Sequence, residues 1–135
     1  MVITKATERM AGMAFHDDIV NLAQRNEDFR REVVTGQHSQ VVLMSLAPGE
    51  EIGEEVHAGV DQTLVFVAGE GRAILDGVTS PIAANSLYFV PAGTRHNFVN
   101  TGSGPVKLYT IYAPPEHAPG TVFRTKVEAD AAEPH

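Results

Sequence analysis

The chain has 135 residues, about one domain's worth and enough to bury a core without staples. Its formal net charge is −7, its pI is near 5.2 and it has no cysteine. These values exclude disulfides, thiolate metal sites and cysteine nucleophiles, and they leave no basic face for nucleic acid or an anionic membrane. Solubility alone accounts for the acidity. Residues 1–10 hold no apolar run of signal-peptide length, and nothing in the chain approaches a membrane span. The expectation is a soluble, cytoplasmic protein.

No repeat or low-complexity linker interrupts the chain. The first 26 residues are weakly patterned, and the run from Asp18 to Ala23 fits one helical turn or an extended arm equally well. From residue 29 on, short runs of Val, Leu, Ile, Phe and Tyr alternate with Gly, Pro and Asn, the mark of an all-β domain. The strands expected are 29–35, 40–46, 54–57, 62–68, 72–75, 78–82, 86–90, 96–99 and 106–113. Asp76-Gly77 is the strongest hairpin signal among them. Such close, even spacing predicts a sandwich or barrel. Pro114-Pro115 ends the last long strand, since proline cannot donate to a ladder. Thr125-Lys-Val-Glu128 has the pattern of a capping box and predicts a short helix through Ala132. The organisation expected is a single domain over 1–135: an arm over 1–28, the barrel over 29–113, and an extension over 114–135.

Glu55 and His57 are two apart, so on a strand they share a face. Gln62 heads the next strand, and His96 follows Pro91-Ala92-Gly93 some way on. Carboxylate, imidazole and amide oxygen all suit a divalent metal. Taken singly, each has a plainer reading. Glu55 belongs to an acidic stretch, His57 to a polar loop edge, and His96 to a hydrogen-bonded core, while Gln62 attracts no notice.

Their joint spacing resembles the cupin superfamily. For the first cupin motif, Gly49 is followed by Glu55, His57, Gln62 and Gly69 at the family's intervals. For the second, Asn85, Pro91, Gly93, His96 and Asn100 fall in place. The chain departs from the pattern in three ways. Glu55 stands where the family has its first histidine, and Gln62 stands where it has glutamate. Asn85 replaces a glycine, a mild change because asparagine tolerates positive φ. The chain is also similar to a group of bacterial single-domain cupins of unassigned activity that share Glu-x-His followed by Asp-Gln.

The resemblance implies a double-stranded β-helix (a cupin or jelly-roll barrel) with a short N-terminal arm and a short C-terminal helix. It implies one divalent metal, Mn, Fe, Ni or Zn, on Glu55, His57, Gln62 and His96, bound more weakly than at the family's usual site. It further implies a small-molecule ligand and a homodimer. By alternation, Leu64 and Phe66 share the face of Gln62, and Phe98 and Asn100 share that of His96. Tyr109 and Tyr112 face opposite sides, so at most one reaches the cup. Arg95 points away from His96, and Arg72 is a candidate only if its strand turns it inward. His16, His38, His117 and His135 lie outside both motifs and read as surface or packing residues. The function expected is metal-dependent isomerase, lyase or dioxygenase chemistry on a keto acid, enediol or sugar derivative, with no dedicated base visible. Its rivals are a binding module without turnover and a structural cupin with a vestigial site.

Overall fold

Period-two burial along the strands builds two sheets whose inner faces meet. The computed structural model describes residues 14–133. Among them the order is α1 (Ile19–Arg25), β1 (Arg30–Thr35), β2 (Gln40–Leu46), β3 (Asp61–Ala68), β4 (Gly71–Leu75), β5 (Val78–Ile82), β6 (Leu87–Val90), β7 (His96–Asn100), β8 (Val106–Ala113), β9 (Val122–Phe123) and α2 (Lys126–Ala132). One sheet runs β6-β3-β8-β2-β1-β9 and the other β5-β4-β7. Val42, Met44, Leu64, Phe66 and Leu108 of the first sheet pack with Ala73, Ile82 and Phe98 of the second. The Phe66 and Phe98 rings lie 5.6 Å apart across that seam. This is the double-stranded β-helix expected, and Leu64, Phe66, Phe98 and Asn100 all turn inward as alternation predicts.

Turn residues do what their chemistry allows. Asp76 and Gly77 both adopt positive φ, 47° and 82°, which closes the β4–β5 hairpin tightly. Asn85 accepts φ 73° in place of the family's glycine. Gly69 combines φ +96° with close approach, since a Cβ there would meet the Pro105 carbonyl oxygen at 2.6 Å.

One element differs from expectation, one resolves an open alternative and one is additional. The strand expected over 54–57 is reduced to one isolated bridge, Glu55 to His96, and a second bridge upstream, Glu51 to Val99, also meets β7 without forming a continuous ladder. The segment around Asp18 is helical, because the Asp18 side chain accepts from the Asn21 N–H and caps α1. Leu22 and Ala23 of α1 then pack with Val33 and Leu43 on the outside of the larger sheet, beside Tyr109. The two-residue β9 was not foreseen; it pairs with Arg30 and Arg31. Among the described residues, no helix is long and apolar enough to cross a membrane.

Helix α2 begins where the capping pattern places it. Thr125 Oγ1 accepts from the Glu128 N–H at 3.1 Å. Glu128 reaches back one residue further than a standard box, to the Arg124 N–H at 2.8 Å. Thr125→Ala is expected to lower stability by about 1 kcal/mol in a denaturant titration. Hydrogen exchange should rise first in α2, and exchange confined to other elements would show that the cap does not hold the helix.

Candidate metal centre and its cavity

Glu55 and His96 are aligned by backbone. Each N–H donates to the other's carbonyl at 2.9 Å, so the two side chains stand side by side on the inner face. Val56 turns outward and His57 returns inward. The Gly93 N–H then ties the His57 carbonyl to the turn that precedes β7. The local chain thus holds Glu55 and His57 on one face although it is not a strand. Donor atoms of Glu55, His57 and His96 all lie within 4.8 Å of one another, a spacing that could hold a metal ion. Gln62 enters from the other sheet. It pairs in register with Tyr112 on β8, whose ring contacts His57 at 6.0 Å.

The hydrogen bonds fix which atoms are free to ligate. His96 Nδ1 lies 2.8 Å from the Thr94 carbonyl, which only accepts, so Nδ1 carries the proton and Nε2 the lone pair. His96 is 2 % exposed, and its Nε2 is buried with no hydrogen-bond partner. The nearest charge is Glu55 Oε1 at 3.8 Å, itself an acceptor. Burial pushes the His96 pKa down, which keeps that lone pair unprotonated. Gln62 is 1 % exposed; its Nε2 donates to Thr110 Oγ1 at 3.1 Å, and its Oε1 is buried without a partner. His57 is the opposite case. Its Nε2 lies 3.1 Å from Glu55 Oε1 and its Nδ1 3.3 Å from Glu116 Oε2. The hydrogen bond to Glu55 is the main reason its pKa is raised, so without a cation this imidazole takes up a proton readily.

Above this group lies a cavity of about 390 Å³, lined by Arg30, Glu54, Glu55, Val56, His57, Glu116, His117 and Glu133. Six of these were not singled out in the sequence as site residues: Arg30, Glu54, Val56, Glu116, His117 and Glu133. Arg30 stands on the inner face of β1 and bonds Glu133 at 3.0 Å. His117 is mostly enclosed here, the packing side of the two alternatives, and the expectation for His135 falls outside the described residues. Gln40 would have been the one usable signal, a buried polar residue on a core strand. Its side chain accepts from the N–H groups of Glu116 and His117 and donates to the His117 carbonyl, which sets that loop over the cavity. Tyr112 is the tyrosine that reaches the cup, and burial pushes its pKa up, so it stays a neutral phenol. Arg72 is exposed, and Arg95 turns outward toward Glu54.

Residues 42–112 match the Cupin_2 family model, a cupin domain. The chain is 45% identical over 124 residues to an uncharacterized protein, YrkC, of Bacillus subtilis, covering 85% of this chain and 67% of that one. The crystal structure of BH2720 from Bacillus halodurans superposes with a TM-score of 0.88 at 41% identity, over 89% of this chain and 96% of the other. An oxalate-binding protein of Thermotoga maritima is 29% identical over 68 residues, 50% of this chain and 56% of the relative. The chain belongs to the cupin family. The matched segment contains Glu55, His57, Gln62 and His96, whereas Arg30, Glu116, His117 and Glu133 lie outside it.

Proposed function

We propose that this cupin holds one divalent metal ion on Glu55, His57, Gln62 and His96, and uses it in chemistry on a small oxygen-rich ligand bound in the cavity. The observation that carries this reading is His96 Nε2, a buried lone pair 3.8 Å from a carboxylate with no donor to satisfy it. Gln62 Oε1 is a second buried acceptor in the same condition. Unsatisfied buried acceptors are costly, and a cation satisfies both. The mixed nitrogen and oxygen donors suit Mn, Fe, Ni or Zn. When bound, the ion supplies Lewis-acid polarisation of a ligand oxygen or, as iron, activation of dioxygen. The Thr94 carbonyl orients His96, and Glu116 holds the proton on His57 Nδ1. Glu116 is also a cavity carboxylate that the metal does not need, in a position to move a proton.

Isomerase, lyase and dioxygenase chemistry all fit such a centre. The likeness to a protein named for oxalate binding supports a second reading, ligand binding without turnover at the same site. Elemental analysis of the purified protein, followed by a panel of keto acids, enediols and sugars with each metal restored, separates the two. Turnover supports the first reading and saturable binding alone the second. Absence of metal under every loading condition, with no ligand bound, overturns both and leaves a structural barrel.

Gln62→Glu is expected to tighten metal binding by about tenfold, since a carboxylate attracts a dication by charge as well as by dipole. The metal-free variant should be less stable by about 1–3 kcal/mol, because a second anion is buried near Glu55. Thr110 Oγ1, which now donates to the Thr63 carbonyl, would also have to turn its proton toward the new carboxylate. Equal or weaker affinity in a metal titration at fixed pH would count against Gln62 as a ligand.

A further inference from the structure

The far wall of the cavity contains a second group of buried polar atoms, built around one carboxylate. Arg30 Nη1 donates to Glu133 Oε1 at 3.0 Å, and His117 Nδ1 meets Glu133 Oε2 at 2.9 Å, so each oxygen has its own donor. Arg30 is only 3 % exposed, yet its Nε has no hydrogen-bond partner, and neither has the buried Nε2 of His117. Buried guanidinium groups are normally paired at every donor. Here a charged donor and a ring nitrogen remain unpaired in the wall of a cavity that also holds Glu55 and His57.

The two sides of this contact are not equally anchored. Arg30 is fixed within β1, between β2 and β9. His117 is fixed by Gln40, a fully buried side chain that bonds both its N–H and its carbonyl. Glu133, by contrast, is the C-cap of a seven-residue helix whose buried residue is Ala129, and its side chain is 29% exposed. The recognising pair is thus preorganised, and the group it holds sits at the end of a short peripheral element.

We propose that Arg30 and His117 form a carboxylate-binding subsite beside the metal group, and that Glu133 occupies it as an internal stand-in which a small carboxylate ligand displaces. This rests on the reading of the cavity as a ligand site and narrows the ligand class from oxygen-rich molecules to acids. The chemistry is that of a charge-assisted, two-point grip on a planar carboxylate. The subsite is an addition to the family fold, since Arg30, His117 and Glu133 all flank the matched segment 42–112.

The test uses metal-free full-length protein, so that its outcome does not depend on the metal ligands. Acetate and malonate are titrated at constant ionic strength into wild type, Glu133→Ala and Glu133→Ala/His117→Ala. Binding is read from imidazole NMR shifts and thermal melting, with neutral acetamide as control. Glu133→Ala should bind the carboxylates about tenfold or more tighter than wild type, with His117 shifting. Acetamide should have no effect, and the double variant should lose the binding. Arg30→Lys on the Glu133→Ala background should weaken it if that buried site tolerates the change, and the His117 variant decides the matter if it does not. A folded Glu133→Ala that binds no better than wild type, or that binds acetamide equally, overturns the proposal and makes Glu133 a structural latch. Metal content measured on the same variant keeps the readings apart. Metal without carboxylate binding removes only the subsite, and carboxylate binding without metal removes only the metal centre.

Discussion

His96→Ala should release most of the metal and leave the barrel folded. Groups that only hydrogen-bond to metal ligands are typically worth about 10–100-fold in affinity, so loss of a ligand itself should cost about 100-fold or more. The fold does not depend on this side chain in the same way. Its backbone bonds to Glu55 survive the substitution, and the core of Phe66, Phe98, Leu64 and Leu108 is untouched. What the variant loses in the metal-free state is the Nδ1 bond to the Thr94 carbonyl and some packing against Phe98. It also removes a lone pair standing 3.8 Å from an anionic oxygen. The metal-free cost should therefore be about 1–3 kcal/mol, while in excess metal wild type gains a further binding linkage that the variant does not. Metal content and thermal unfolding of both metal-free proteins, measured side by side, check this. A variant that cannot fold where metal-free wild type does makes His96 structural, and one that keeps a full equivalent of metal places the site elsewhere.

Gly71→Ala should be among the most damaging single substitutions in the molecule. A Cβ at Gly71 would lie 2.1 Å from the Val99 carbonyl oxygen and 3.4 Å from the Asn100 Cα. Both are backbone atoms of β7, so no side chain can swing aside. Strand β4 would have to part from β7 where Gly71 pairs with Asn100. Asn100 is buried there and donates to the carbonyls of Leu46 and Gly104, so the disturbance spreads to the loop that starts β8. The expected loss is about 4 kcal/mol or more, at the far end of what point substitutions do. Gly104→Ala is the control, since a Cβ there meets nothing within 4 Å. It should change stability by no more than about 0.5 kcal/mol. Denaturant titrations of both variants suffice, and a Gly71→Ala protein as stable as the control would mean that β4 and β7 do not pack as described.

Most of the barrel was legible because its signals are local. Short runs and the turn residues that bound them located β2, β5 and β8 at 40–46, 78–82 and 106–113, their observed bounds. The hairpin at Asp76-Gly77 and the cap at Thr125 are set by residues within four positions of one another. The inward face shared by Glu55 and His57 follows from their spacing, even where continuous strand pairing fails. Helix α1 stayed undecided because its cap and two buried residues acquire meaning only against Val33, Leu43 and Tyr109.

By itself, then, the sequence determined the fold class, most strand positions and four candidate site residues, Glu55, His57, Gln62 and His96; donor atoms of Glu55, His57 and His96 lie within 4.8 Å of one another. Tertiary structure decided which atoms of those residues are free, because hydrogen bonds to Thr94 and Thr110 expose the His96 lone pair and the Gln62 oxygen. It alone assembled the opposite wall. Arg30 and Glu133 are 103 residues apart, and His117 is brought to them by Gln40, 77 positions away. No period or motif in a linear chain encodes a meeting of that range. It arises when the sheets close and leave a buried cation facing a cavity with a donor unpaired.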